Sequence, residues 1–311
     1  MARVSESTFL SSDGKTNLYY REYLPEGEAV GIVQIVHGIA EHIARYDDFA
    51  RFLADNGYIV VLHDQLGHGK SITDESPMGF FNDKNGWETA VQDIRILHNK
   101  AAEKYPGKPF FLFGHSMGSF LARTYLIHFR TGLDGAVISG TGQQNSALIK
   151  GGKLMSALEI RRHGARFRSE RLNAMAFGKY NDKLENVRTS CDWLSRDEAV
   201  VEAYNADPLC GFVPTAGLLH DMMGGIEFIS NAKNIARMKK DLPILFVSGD
   251  CDPVGDYGKG VIKAYKGFLR AGMTDVTMKL YSGGRHEMLN EINNAEVYQD
   301  ILFWLNAKAG R

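Results

Sequence analysis

Residues 110–118 read Phe110-Phe111-Leu112-Phe113-Gly114-His115-Ser116-Met117-Gly118. An apolar, aromatic run of strand character enters a Gly-x-Ser-x-Gly turn, and a helical pattern continues to about Phe129. A serine on a sharp strand-to-helix turn holds its hydroxyl clear of the backbone. Glycine at both flanks removes side chains that would clash there. The helix that follows aims its N-terminal amides and dipole at the same point, which favours negative charge. Ser116 is therefore the expected nucleophile. His115 is adjacent, but neighbouring side chains diverge on such a turn, so it reads as a packed or hydrogen-bonded residue and not as the base.

A serine hydroxyl needs a base to take its proton. The motif sets the order serine, acid, histidine along the chain. Two later loops follow apolar runs of strand character, at the strand ends where open parallel sheets bind ligands. Gly249-Asp250-Cys251-Asp252-Pro253 follows 243–248, and Ser282-Gly283-Gly284-Arg285-His286-Glu287 follows 276–281. No other histidine lies beyond both Ser116 and the acid loop, so His286 is the expected general base. The acid loop offers two carboxylates. Asp252 has a Gly-x-x-Asp spacing from the strand end and precedes the rigid Pro253, which makes it the stronger candidate, with Asp250 as the alternative. The oxyanion needs two amides. The candidates are the backbone N–H groups of Met117, after the nucleophile, and of Ile39, in the early loop His37-Gly38-Ile39-Ala40-Glu41-His42.

Around these loops the chain alternates short apolar runs with longer helical patterns. That favours an α/β fold with a mostly parallel sheet flanked by helices. Strands are expected at 9–10, 18–23, 32–36, 58–62, 110–113, 136–139, 243–248 and 276–281, with helices at 47–56, 87–104, 258–269 and 296–305. Residues 141–215 break the rhythm, with helical patterns and no convincing strand. The expectation is one domain, with core segments 1–140 and 216–311 and an inserted helical cap over 141–215. Within it, Lys150, Lys153, Arg161, Arg162, Arg166, Arg168 and Arg171 accompany Leu154, Met155, Leu158 and Ile160. That pattern fits a solvated lid helix with its apolar side over a pocket, and it leaves open a peripheral membrane contact.

Basic and acidic residues nearly cancel, at 36 against 37, which argues against a nucleic-acid binder that works by neutralising phosphates. The first residues carry no apolar core of a secretory signal, and no apolar run reaches membrane-spanning length. Cys191, Cys210 and Cys251 are sparse and irregular, so a reduced, cytoplasmic protein is expected. Cys251, beside the acid, reads as a buried, inert thiol. The pairs His37/His42 and His63/His68 lack the helical spacing and partner ligands of a zinc site, and Gly224-Gly225 and Gly283-Gly284 lack a nucleotide-binding context. Neither a metal nor a cofactor is expected.

These residues resemble the α/β-hydrolase family that includes monoacylglycerol lipases and lysophospholipase-like esterases. The resemblance extends to His37–His42 with Arg45-Tyr46, to His63-Asp64-Gln65-Leu66-Gly67-His68-Gly69-Lys70-Ser71, to Asp207-Pro208-Leu209 and to Arg285-His286-Glu287. It implies a Ser116–Asp252–His286 triad, an oxyanion hole from the Ile39 and Met117 amides, and a helical lid over an acyl pocket. The implied activity is hydrolysis of carboxylic esters, monoacylglycerol- or lysophospholipid-like, with a small-molecule ester or lipid as substrate. One departure is Ala40, where lipases of this group usually carry a second glycine. Aminopeptidases and aromatic-acid esterases use the same frame, and a non-catalytic binding relative is the alternative from another class.

Overall fold

The computed structural model describes residues 2–74 and 76–311. Eight strands form one sheet: β1 (Arg3–Leu10), β2 (Asn17–Leu24), β3 (Gly31–Val36), β4 (Tyr58–His63), β5 (Phe110–His115), β6 (Gly135–Ser139), β7 (Ile244–Gly249) and β8 (Val276–Tyr281). Their spatial order is β1-β2-β4-β3-β5-β6-β7-β8. The pairs β1·β2 and β2·β4 are antiparallel, and every later pair is parallel. The helices are α1 (Asp47–Asp55), α2 (Gly86–Lys104), α3 (Met117–His128), α4 (Ser146–His163), α5 (Glu170–Phe177), α6 (Glu198–Ala206), α7 (Ala216–Ser230), α8 (Ala232–Ile235), α9 (Lys259–Arg270) and α10 (Asn294–Lys308).

Strands β3, β4 and β5 are buried at every position, as a parallel sheet covered on both faces requires. One face packs Ile94, Leu126, Ile226 and Phe268 from α2, α3, α7 and α9. The other packs Phe49, Leu53, Val297 and Ile301 from α1 and α10. The result is three layers, helix–sheet–helix. At the edges the covering thins, and β1 is mostly exposed. That explains why only its end was legible as a strand. Ser5, Glu6 and Ser7 lie on a solvated edge, with no apolar alternation to mark them, yet β1 pairs with β2 along its whole length.

The 141–215 stretch holds α4, α5, α6 and a short 3₁₀ turn at Asp192–Leu194. Among the described residues its only β contact is an isolated bridge from Arg168 to Thr215. Helix α4 packs on α7. The sequence assigned no helix to 216–230, where Gly224 and Gly225 depress helix propensity. The structure gives Gly225 a packing role: a Cβ there would strike the Trp87 indole of α2.

The motif glycines work in the same way. A Cβ on Gly118 would run into the Val36 and His37 carbonyl oxygens, and one on Gly114 would meet the Gly118 carbonyl oxygen and the Ala122 methyl. The two glycines thus let α3 close on β3 and β5 as well as admitting the turn. Gly118→Ala should destabilise the fold by about 3 kcal/mol or more, because backbone carbonyls cannot step aside. Gly151, an exposed position inside α4 with open space around its Cα, should respond oppositely. Gly151→Ala should stabilise by about 0.5–1 kcal/mol. Urea midpoints of the two variants check both signs.

Candidate active site

Ser116 sits between β5 and α3 at φ 52°, ψ −122°. This left-handed φ is rare for a residue with a side chain. Its N–H donates to the Ser139 carbonyl at 3.0 Å, and the Ser119 hydroxyl donates to its carbonyl at 2.6 Å. The turn is thus fastened from β6 and from α3.

The loops after β7 and β8 meet beside it. Asp252 and His286 are both buried, and the His286 Nδ1–H donates to Asp252 Oδ2 at 3.0 Å. The other carboxylate oxygen accepts from the Val254 N–H at 2.8 Å. A carboxylate that only accepts leaves the imidazole proton on Nδ1 and the lone pair on Nε2, the tautomer a general base needs. Burial disfavours the imidazolium, but the charge and hydrogen bond of Asp252, with Glu287 and Glu41 nearby, outweigh it and raise the His286 pKa above its ordinary value. Asp250 turns elsewhere: its Oδ1 accepts the Gly283 N–H at 2.7 Å and so joins the two loops. Among the described residues no hydrogen bond joins the Ser116 hydroxyl to His286, although both line one cavity. Such contacts commonly tighten only when substrate is bound.

Ile39 and Met117 line that cavity too, and among the described residues neither amide donates to another protein group. The amide before Ile39 is committed, since the Gly38 N–H donates to Glu41 Oε1. That same oxygen accepts the Tyr46 hydroxyl at 2.7 Å, while Glu41 Oε2 accepts Arg45 Nη1 at 2.9 Å. Arg45 also grips Glu287 through both carboxylate oxygens, its Nη2 lying 2.6 Å from Oε2. Arg45 holds the Glu287 carboxyl below its usual range against the opposing effect of burial, whereas burial pushes Glu41 up. This buried trio ties the Ile39 loop to the His286 loop. Sequence reading noted Glu41, Arg45 and Glu287 only as parts of motifs. Ala40 has φ 54°, the position where the sequence departs from glycine. Its carbonyl accepts from the Gly211 N–H and the Tyr204 hydroxyl, both at 2.9 Å, and these bonds hold the left-handed turn.

The early histidines shape loops. His37 Nδ1 donates to the Gly38 carbonyl at 2.7 Å, and its Nε2 accepts from the Gln65 N–H at 3.0 Å. Burial pushes the His37, His63 and His68 pKa values down, which keeps these rings neutral. His42, Asp207 and Cys210 bring three ligand atoms within 4.8 Å of one another. The His42 Nε2 contact with Asp207 at 2.8 Å already partners two of them, and burial raises the Cys210 thiol, so the set is satisfied as a hydrogen-bonded pair beside a protonated thiol. Cys251 does not line the cavity. Cys191 does, a residue to which sequence reading gave no place in the site, and burial raises its thiol as well.

The cavity measures about 990 Å³. The core supplies Phe120 and Val254, α7 supplies Leu219, Met222 and Ile226, and the 141–215 stretch adds Leu172, Phe177, Tyr180 and Trp193. Its acids are Glu41 and Glu287, both paired with Arg45, and Asp256 at the surface, alongside Lys259 and Lys263. The fully buried Arg123 of α3 also went unnoticed in the sequence. It donates to the Gly142 and Ile229 carbonyls and to Gln143, so it anchors the start of the 141–215 stretch to α3.

The family model described as serine aminopeptidase, S33, matches residues 27–293. Human monoglyceride lipase is 28% identical over 304 residues, covering 96% of this chain and 89% of its own. A monoacylglycerol lipase of Mycolicibacterium smegmatis is 29% identical, covering 97% of this chain and 96% of its own. The crystal structure of a thermostable carboxyl esterase from Bacillus coagulans, in complex with glycerol, superposes with a TM-score of 0.92 at 31% identity over 99% of both chains.

The raised pKa of His286 fixes the sign of a pH effect. As pH falls through it, the imidazole becomes protonated and loses the lone pair that the expected general base uses, so kcat/KM should fall with a midpoint above the ordinary histidine value of about 6.5. Asp252→Asn removes the stabilising anion. It should move that midpoint down and lower kcat by about 10⁴-fold, as loss of the triad carboxylate does elsewhere. Asp250→Asn keeps an acceptor for Gly283 and should stay within about threefold of wild type. Ester hydrolysis across a pH series distinguishes the two aspartates.

Proposed function

The chain belongs to the serine aminopeptidase S33 family of α/β hydrolases, and on that premise we propose that it is a Ser116–Asp252–His286 esterase cleaving monoacylglycerol- or lysophospholipid-like esters. The human and mycobacterial relatives are named as lipases and the Bacillus structure as a carboxyl esterase. The observation that carries the substrate reading is the cavity of about 990 Å³, with Ser116 and His286 in its wall and apolar side chains from three sources around them.

Ser116 attacks the ester carbonyl while His286 Nε2 takes its proton. The Ile39 and Met117 amides hold the oxyanion, each worth about 3–4 kcal/mol of barrier. His286 then protonates the departing alcohol, and a water activated by the same ring releases the fatty acid. Asp252 holds the ring's orientation and stabilises its cation. No cofactor takes part.

The family description names an aminopeptidase, and that reading needs a free carboxylate deep in the pocket to hold the substrate amine. The two interior acids, Glu41 and Glu287, are already spent on Arg45. This favours an ester with an apolar acyl group. We assign residues 141–215 as the cap. Leu148 and Met175, at the cavity rim, are 69% and 57% exposed, which supports peripheral contact between this face and a lipid aggregate. No helix among the described residues is long and apolar enough to cross a membrane. Three unpaired cysteines support a reducing, cytoplasmic setting.

Rates for esters of increasing acyl length, monoacylglycerols, lysophospholipids and aminoacyl amides should rise with acyl length and be lowest for the amides. Ser116→Ala should lower turnover on the best ester by about 10⁴-fold or more. Preference for aminoacyl amides would replace this reading with the peptidase one.

A further inference from the structure

The loop that carries His286 is held from outside the core. Residues 192–196 of the cap run along it and bond to it in both directions. The His286 N–H donates to the Trp193 carbonyl at 3.3 Å, and the Glu287 N–H donates to the Leu194 carbonyl at 2.8 Å. Arg285 Nη1 donates to the Asp192 and Ser195 carbonyls, at 2.6 and 2.8 Å. In return, the Ser195 hydroxyl donates to the Asn290 carbonyl at 2.8 Å, and Arg196 Nε donates to Glu291 Oε2 at 2.9 Å.

The side chains continue the contact. The Trp193 indole packs on the His286 ring, with centroids 5.0 Å apart and planes at 42°. His115 packs on the same ring from the core at 4.7 Å. Trp193 is itself held: its backbone N–H donates to Asn181 Oδ1 at 2.9 Å, and Tyr180 meets its indole edge-on at 4.7 Å. Asp252 fixes one nitrogen of His286 but leaves the ring free to swing about that bond. A ring face packed against an indole removes this freedom.

We propose that cap residues 192–196 are a positioning element for His286, with Trp193 setting the plane of the imidazole and Arg285 fastening the segment to the histidine loop. The proposal rests on His286 being the general base. It divides the cap in two. The 192–196 segment belongs mechanically to the His286 loop, apart from α4 and α5, which line the cavity without bonding to that loop among the described residues.

The test compares Trp193→Ala, Trp193→Phe, Arg285→Ala and His286→Ala on p-nitrophenyl acetate and p-nitrophenyl decanoate. Trp193 also lines the cavity, whereas Arg285 does not. Trp193→Ala and Arg285→Ala should lower kcat by about 10- to 100-fold, the scale of a small misplacement of a catalytic group. For Arg285→Ala, KM should stay within about twofold and the kcat loss should be equal for both esters; Trp193→Ala should show the same kcat loss on both, with an added rise in KM for the decanoate from the lost wall. Trp193→Phe, which keeps a ring against the imidazole, should recover most of kcat. The far-downfield proton resonance of the His286–Asp252 bond should broaden in the two alanine variants. Wild-type kcat in Arg285→Ala, with a Trp193→Ala loss confined to KM for the decanoate, would overturn the proposal and make Trp193 a pocket wall. If Arg285→Ala fails to fold, the Trp193 pair decides by the same criterion. Full activity in His286→Ala would instead remove the underlying assignment of the base.

Discussion

The site depends on one backbone residue held where side chains rarely go. Ser116 takes φ 52° between a strand buried at all six positions and a helix buried almost throughout. Holding a non-glycine residue there costs about 1–3 kcal/mol, which the surrounding structure must offset. It does so through the Ser139 and Ser119 hydrogen bonds and through the close approach of α3 to β3. That approach exists only because Gly114 and Gly118 carry no Cβ. The amide of Met117, the helix N-terminus and the serine hydroxyl all take their positions from this turn.

The two remaining parts of the site are fixed to each other as well as to the sheet. Arg45 bridges Glu41, which occupies the Gly38 amide, and Glu287, which follows the candidate base. Removing one member of such a buried set typically costs about 3–5 kcal/mol, since a desolvated charge is left unmatched. The Ile39 loop and the His286 loop are therefore held at a fixed spacing by a buried ionic link. Arg123 does the corresponding work for the 141–215 stretch, joining its first residues and the end of α7 to α3. Its burial among neutral acceptors pushes its pKa down to about 9.

Much of the sheet was legible because its central strands are buried on both faces and read as continuous apolar runs. The edge strand β1 was not, since solvated residues carry no pattern. Helix α7 was hidden by Gly224-Gly225, where a tertiary need, room for Trp87, outweighs local propensity. Within the site, Ser116 and His286 were marked by motif and order. Asp252 and Asp250 are the same residue type two positions apart. Spacing favoured Asp252, but which carboxylate faces the imidazole is a matter of how the loop turns. The Arg45–Glu287 link spans 242 positions in sequence, beyond the reach of local patterns. The 141–215 stretch showed helical patterns, but the expected apolar side over the pocket was misplaced: Leu154 and Leu158 are exposed, and Leu148, Ile149 and Gly152 line the cavity from α4 instead.

The central claim is that Ser116 becomes acylated with His286 as its base. It is tested most directly by treating the native chain and His286→Ala with a fluorophosphonate and locating the adduct by peptide mass mapping. The account predicts one stoichiometric adduct, on Ser116, formed at least about 10³-fold more slowly in His286→Ala. An adduct on another serine, or labelling of Ser116 at the same rate without His286, would contradict it.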